Sequence, residues 1–297
     1  MKKGLILINA YSKLESSLNG SKRLKEELEK LGVSVDILRN DFFCAQINSS
    51  GDIQTKTAGY DFCIYLDKDK YISHMLEKSG LKLFNSHTAI EICDDKMLTS
   101  ITLANNQIPM PKTLAGLLCY NEEEEIDGHV FDSIENELGY PVIVKKSYGS
   151  LGKGVYKADN REELIQIANN LKCKPHLFQQ FIASSEGRDI RVIVIGGKAV
   201  ASMLRKSECD FRSNLELGGA AQKFDPPKEV ICLCERVATL LNLDYCGIDV
   251  LFGDNCYYIC EVNSNAFFGG IERATGVNVA KAYSEYIYST VYKSTAQ

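Results

Sequence analysis

The feature that most constrains this chain is a pair of apolar segments that carry acids. Residues 247–252 read Gly-Ile-Asp-Val-Leu-Phe, residues 257–263 read Tyr-Tyr-Ile-Cys-Glu-Val-Asn, and Gly253-Asp254-Asn255 opens the turn between them. Two apolar runs of strand length around a turn signal predict a β-hairpin. Glu261 and Asn263 are two apart and so share a face. A turn at Asp254-Asn255 sets Asp249 across from residues 259–261, with the register open by one residue. Two carboxylates and one amide oxygen then converge on one sheet face. Carboxylates in buried strands are costly unless something partners them. Hard oxygen donors of this kind suit Mg2+, or Mn2+ in its place, with water and nucleotide phosphates completing the shell. The plainer reading of the same residues is ion pairing of Asp249 and Glu261 with nearby lysines.

A second element runs Lys145-Lys146-Ser147-Tyr148-Gly149-Ser150-Leu151-Gly152-Lys153-Gly154-Val155. A strand ends in lysine, a Gly/Ser loop follows, and a strand resumes over 155–158. Glycine has no Cβ, so such a loop can bring backbone N–H groups close to phosphates. The spacing fits neither the P-loop nor the dinucleotide fingerprint, and no helix opens here. Alone it is equally an ordinary hairpin loop; with the acid-bearing hairpin downstream it reads as a phosphate cover. Asp95-Lys96, Pro109-x-Pro111, Asp189-Ile190-Arg191, Phe211-Arg212-Ser213-Asn214 and Gly218-Gly219-Ala220 are bland one by one.

Periodicity gives the frame. Residues 5–9, 33–38, 60–66 and 81–84 read as strands, with helices over 20–31 and 71–78 between them. That alternation predicts a small open parallel sheet with helices on its faces. A helix over 88–105 follows, ended by Pro109 and Pro111. Strands at 140–145, 155–158 and 177–182 with a helix at 161–171 form a second region. Strands at 189–195 and 198–205 meet at Gly196-Gly197, a hairpin signal. A helix over 228–241, the acid-bearing hairpin and a closing helix over 278–292 complete a third. The fold class is α/β (α+β), divided at 1–90, 91–183 and 184–297.

Composition removes several functions. At 297 residues, two or three packed subdomains are expected. A net charge of −5 with no basic stripe argues against nucleic acid. No run of 18 apolar residues predicts a membrane span, and the apolar run at residues 5–8 is short for a signal peptide. Eleven cysteines, an odd number with no Cys-x-x-Cys pair, predict reduced thiols in a cytoplasmic protein. Cys63, Cys232, Cys234 and Cys260 are expected to be buried. Cys173 and His176 read as a turn before a strand rather than a nucleophile with its base. The acidic run 122–125 reads as a solvated loop.

The order of these motifs resembles the ATP-grasp superfamily. D-K…P-x-P, V-x-V-K with a Gly-rich loop, a Q-x-F-I strand end, D-I-R, F-R-S-N, G-G-A, G-x-D and E-V-N follow one another from about Asp94 to Ala280. F-R-S-N-L with G-G-A, and E-V-N-x-N with G-I-E-x-x-T-G, look like its RimK and LysX branch of amino-acid ligases. The resemblance implies two α+β lobes clasping ATP behind a pre-ATP-grasp domain. It implies phosphate contacts from Lys96 and Lys145, and a cover from Gly149, Ser150 and Gly152. It implies an adenine hinge at Gln179, Gln180, Phe181 and Ile182, with Gln180 where many relatives have Glu. Asp189 is implied near the ribose and Arg191 on the reacting side. Arg212, Ser213 and Asn214 are implied at the γ-phosphate and acyl phosphate, with Lys145, Arg191 and Arg212 as the catalytic cations. Asp249, Glu261 and Asn263 are the implied Mg2+ ligands, and Asn265 a weaker acceptor contact. Loops 149–154 and 207–217 are the implied lids. The implied activity is ATP-dependent ligation of glutamate or another amino acid to a peptide, protein or small-molecule acceptor. A D-Ala-D-Ala-like or lysine-biosynthesis-type ligase, a non-catalytic ATP sensor, and homo-oligomerisation stay open.

Overall fold

A computed structural model of the chain describes residues 2–215 and 218–293. The first sheet is parallel, in the order Ser34–Arg39, Lys3–Ile8, Phe62–Leu66, Lys82–Phe84. Its central strand buries both faces, as parallel strands covered by helices must. Ile6 and Ile8 pack with Leu24 and Leu28 of helix Glu15–Lys30, and Leu5 and Leu7 with Leu76 of helix Lys70–Lys78. The first helix starts five residues before its predicted Gly20.

The helix expected over 88–105 is two helices, His87–Asp94 and Lys96–Leu103. Asp95 breaks it by turning extended and accepting hydrogen bonds from the N–H groups of Met97 and Leu98. A carboxylate that caps the next helix competes with continuing the previous one. Ile90 joins the first sheet's core, whereas Ala89 and Cys93 join the third sheet's. The sequence reading omitted the strand pair Ala45–Ile47/Ile53–Thr55, strands Thr113–Ala115 and Ala220–Lys223, and helices Gly128–Leu138 and Gly269–Thr275. Three of the four strands are only three residues long, and both helices begin with glycine.

The second sheet is antiparallel, in the order Thr113–Ala115, His176–Gln180, Val142–Lys146, Val155–Ala158. With helices Gly128–Leu138 and Arg161–Leu171 it forms a core of its own, built only from residues 114–178. The third sheet has five antiparallel strands: Ala220–Lys223, Lys198–Lys206, Arg188–Ile195, Tyr245–Phe252 and Tyr257–Asn263. Ile190, Val192, Ile248, Val250 and Val262 pack beneath helix Lys228–Leu240. Ile193, Met203 and Tyr245 face the other way, into a core shared with helix Val279–Lys293 and the first sheet.

The acid-bearing hairpin contains a β-bulge. From the tip, Phe252 pairs Tyr257, Leu251 pairs Tyr258 and Val250 pairs Ile259; then Asp249 pairs Glu261 and Gly247 pairs Asn263. Cys260 is the extra residue. A regular ladder from the tip would set Glu261 opposite Ile248, on the helix-covered face, because a one-residue slip reverses side-chain direction. The bulge resolves the open register in favour of facing acids.

All eleven cysteines are free. Cys63 and Cys234 are buried as expected, but Cys232 is exposed and Cys260 partly so. Cys232 falls off the stripe of Val230, Cys234 and Val237 that faces the core. Cys173 precedes strand His176–Gln180 in a turn, and the His176 ring is held at 2.8 Å from the Lys174 carbonyl. Among the described residues no helix is long and apolar enough to cross a membrane.

Candidate active site

One face of the third sheet carries a row of charged residues. Asp189 pairs Arg205, Arg191 pairs Asp249, and Asp249 pairs Glu261, each across adjacent strands. Directly opposed residues point to the same side. Arg205 is 3% exposed and grips Asp189 bidentately at 2.7 and 2.6 Å. Its Nη2 also lies 2.9 Å from Asp249 Oδ2. Arg191 donates through Nε to Asp249 Oδ1, and through Nη2 to Oδ2 at 2.7 Å. Burial pushes the Asp249 carboxyl up, but Arg191 and Arg205 outweigh it and hold it below the usual carboxylate range. Gly247 leaves space for this pair, since a Cβ there would lie 3.2 Å from Arg191 Cδ and 2.5 Å from Ala266 Cβ.

The plainer ion-pair reading is therefore partly present, with arginines where lysines were expected. Arg205, within strand Lys198–Lys206, is a site residue that no motif in the sequence marks. Its signal is a cation in phase with Ala201 and Met203, which pack into the core.

Glu261 is less committed, with Lys96 Nζ at 3.5 Å from Oε1. The Asn263 side-chain amide has no hydrogen-bond partner among the described residues. No group of three or more His, Cys, Asp or Glu side chains there has metal-binding geometry. Asp249, Glu261 and Asn263 offer three oxygen-bearing side chains on one face, and a carboxylate holding arginines keeps lone pairs to share. That set fits a hard cation that takes the rest of its shell from water and phosphate, not from a protein cage.

Beside this face lies a cleft lined by Lys145, Gln179, Gln180, Phe181, Ile182, Asp189, Arg212, Ser213 and Asp249. Lys145 is 7% exposed, and its Nζ bonds Gln179 Oε1 at 2.7 Å and Cys260 Sγ at 3.5 Å. It has no carboxylate partner among the described residues, so a buried cation faces the cleft without a counter-charge, a costly state that an anion relieves. Gln179 is held in turn by Thr113 Oγ1 at 2.9 Å. The ladder ends at Gln180, whose N–H bonds the Lys112 carbonyl, and Phe181 and Ile182 continue along the cleft wall. Both carboxylate oxygens of Asp189 are engaged by Arg205.

Two cations hold the Gly-rich loop. Lys96 Nζ donates to the Gly149 carbonyl at 2.8 Å, and Arg212 Nη1 to the Gly152 carbonyl at 2.7 Å. Arg212 is also clamped on Asp210 through Nε at 2.9 Å and Nη2 at 2.7 Å, which lowers the Asp210 carboxyl. The cleft encloses about 100 Å3, below the roughly 300–1000 Å3 of typical ligand pockets. Gly149, Gly152 and Gly154 have φ of 143°, 72° and 77°, in the region that favours glycine. Of the expected second lid, residues 216 and 217 lie outside the described residues.

A larger cavity, about 1100 Å3, also adjoins the acid face. Ser150, Arg191, Asn263 and Asn265 line it, together with the loop after the first strand. Arg205, Asn214 and Glu261 line both spaces, so the narrow cleft and the broad cavity meet at these three side chains. Lys96 lies behind the junction, between the loop and Glu261.

The model of the RimK-like ATP-grasp domain matches residues 93–287. The chain belongs to the RimK-like ATP-grasp family. N-acetylaspartylglutamate synthase A of Homo sapiens is 35% identical over 226 residues, covering 75% of this chain and 56% of that protein. This chain therefore spans little more than half of that relative's length. A probable alpha-L-glutamate ligase of Psychromonas ingrahamii is 31% identical over 286 residues, covering 91% of each. A D-alanine–D-alanine ligase of Bacillus anthracis complexed with ATP shares the fold, with TM-score 0.74, 16% identity, and coverage of 99% of this chain and 98% of that one. The RimK-like region contains the acid face, the cleft and both expected lids; the loop after the first strand lies outside it.

Proposed function

We propose that this chain is an ATP-dependent carboxylate–amine ligase that activates a carboxylate as an acyl phosphate and joins it to the amine of glutamate or another amino acid. The observation that carries this is the junction. A narrow cleft with a buried, unneutralised lysine opens, through Arg205, Asn214 and Glu261, onto a cavity large enough for further substrates. ATP is assigned to the cleft, and the carboxylate and amine to the cavity. Glutamate appears in the names of both relatives above.

The chemistry asks for neutralisation of charge, since a carboxylate approaching a triphosphate brings like charges together. Lys145 supplies a fixed positive charge in the cleft, and Lys96 a second when the loop releases it. Asp249, Glu261 and Asn263 would hold Mg2+, which supplies Lewis-acid polarisation of phosphoryl oxygens. Arg212 and Arg191 would stabilise charge on the phosphoryl group and on the oxyanion formed when the amine attacks. Loops 149–154 and 207–217 exclude water from an intermediate that hydrolyses. The segments 1–90, 91–183 and 184–297 enter as working units, and the separate core of residues 114–178 supports movement of the middle one as the cleft opens.

The test is incubation of the full chain with MgATP, amino acids and a panel of carboxylic acids and short peptides. ADP release and mass spectrometry report the outcome. The expected result is an ATP-dependent adduct whose mass equals both substrates less one water. Tight MgATP binding with no ADP release from any pair would instead support a nucleotide sensor. Arg212→Ala is expected to lower kcat about a hundredfold or more, the cost of one electrostatic donor. Wild-type turnover of that variant at saturating substrates removes Arg212 from the mechanism.

A further inference from the structure

Away from the cleft and the broad cavity, two cysteines distant in sequence meet on the lobe built around the second sheet. Cys119 lies in the loop after strand Thr113–Ala115, and Cys173 in the turn after helix Arg161–Leu171. The Cys119 N–H donates to the Lys172 carbonyl at 2.8 Å. Standard bond lengths then cap the Cα separation of Cys119 and Cys173 at about 7 Å, the limit for a disulfide, and any bend in that path brings them inside it. The side chains converge too, since the Cys173 thiol is hydrogen-bonded to that of Cys119. Both residues are half-buried, so small reagents reach them.

The other thiols are placed differently. Cys44, Cys63, Cys93, Cys234 and Cys246 are buried. Desolvation pushes Cys93 and Cys234 up to about 12, which keeps them protonated and inert. Cys260 faces Lys145 in the cleft. Cys209, Cys232 and Cys256 are exposed, but on separate elements: the 207–217 segment, helix Lys228–Leu240 and the hairpin turn. Desolvation, then the neighbouring Cys119 thiol, hold the Cys173 thiol above its ordinary range. A catalytic dithiol carries a depressed pKa instead, so this pair suits slow exchange set by equilibrium rather than turnover.

A bond here would act on a weakly held segment. Leu117 and Tyr120 are 67% and 94% exposed, so burial contributes little to loop 116–121. The Gly116 N–H bonds the His176 carbonyl at 2.9 Å, and the Cys119 N–H bonds Lys172 as above. Segments with few buried contacts open locally at low cost. The strand before the loop bears on the site. Thr113 Oγ1 accepts from Gln179 Nε2, and Gln179 Oε1 accepts from Lys145 Nζ. A covalent tie at Cys119 therefore steadies the edge strand on which the Lys145 contacts are built.

We infer that Cys119 and Cys173 form a thiol–disulfide exchange site, oxidised by a low-molecular-weight disulfide to a bond that fastens loop 116–121 to the end of helix Arg161–Leu171. One cysteine, as thiolate, attacks a sulfur of the small disulfide, breaks its S–S bond and releases one small thiol. The other cysteine, as thiolate, attacks the protein sulfur of that mixed disulfide, forms the Cys119–Cys173 bond and releases the second small thiol. The two protons lost by the cysteines end on the two released thiols. The protein pair gives up two electrons and the small disulfide takes them. No nucleotide enters, so the site stands apart from the ligase reading.

The test equilibrates the full folded chain with mixtures of oxidised and reduced glutathione, then traps free thiols by alkylation and maps peptides by mass spectrometry. The expected product is one internal bond joining the peptides of Cys119 and Cys173, two hydrogens lighter, and reversed by excess reduced glutathione. Amide exchange across residues 113–121 should slow at least about tenfold on oxidation, since a disulfide restricts local opening. In Cys119→Ser and Cys173→Ser the remaining cysteine should carry glutathione, and exchange should stay at the reduced rate. Glutathione on both cysteines of the unaltered chain with no internal bond overturns the inference. So does a Cys119–Cys173 bond that forms only after denaturant exposes the buried thiols, or one that forms in the folded chain and leaves exchange across 113–121 unchanged.

Discussion

Arg205→Ala is expected to cost about 3–5 kcal/mol of folding stability, the range for removing one partner of a buried ion pair. Arg205 is nearly inaccessible and neutralises two carboxylates at once, Asp189 through two bonds and Asp249 through one contact. Alanine would leave Asp189 buried without a counter-charge and Asp249 with Arg191 alone. Both line the cleft but are nearly inaccessible, so water compensates them poorly. Arg205→Lys keeps the charge but not the two-pronged geometry and should fall between the two. The measurement is the urea midpoint at constant m-value, which separates lost stability from a change in the unfolded chain. A shift worth less than about 1 kcal/mol, the scale of an exposed pair, would mean that water reaches the pair and that the row of charge is not a structural necessity.

Glu261→Gln should do the reverse: little to stability and much to turnover. Its ion contact is with Lys96 at 3.5 Å, on a partly exposed side chain, so its loss should cost no more than about 1 kcal/mol. The amide has nearly the shape of the acid, and the bulge that aims residue 261 is a property of the backbone. A carboxylate at the meeting of the two cavities, however, is the less occupied of the two proposed acidic metal donors. Metal assistance to phosphoryl transfer is worth several kcal/mol, so kcat should fall about a thousandfold. The metal concentration for half-maximal activity should rise in parallel. Turnover within tenfold of wild type at saturating metal and ATP would move the metal away from Glu261 and weaken the reading of the whole face.

The parts of this site that could be read from the sequence are those written in short-range pattern. Asp249, Glu261 and Asn263 stand out because acids interrupt apolar runs around a turn signal, and the Gly149–Gly154 loop stands out by composition. The motif order from Asp94 onward carried the family, and the family match covers the same stretch. What could not be read depends on pairings between distant residues or on one-residue offsets. The facing of Asp249 and Glu261 depends on Cys260 being left out of the ladder, and Cys260 looks like any apolar strand residue. Asp95 looks like a helix residue until its carboxylate is seen capping the next turn. Arg205 becomes informative only when Asp189 and Asp249 are known to flank it.

The extra residue at Cys260 acts as an expansion joint in the hairpin. Pairing at the tip is counted from the turn, while pairing near Gly247 is held by Ile248 and Val262 in the layer beneath helix Lys228–Leu240, and the two counts disagree by one. Storing the mismatch at a single position insulates the reacting end from the outer end. Excising Cys260 would leave Asp249 facing Glu261 in an unbroken ladder and remove only the thiol beside Lys145. The outer turn can therefore vary in length between related chains while the acids keep their places.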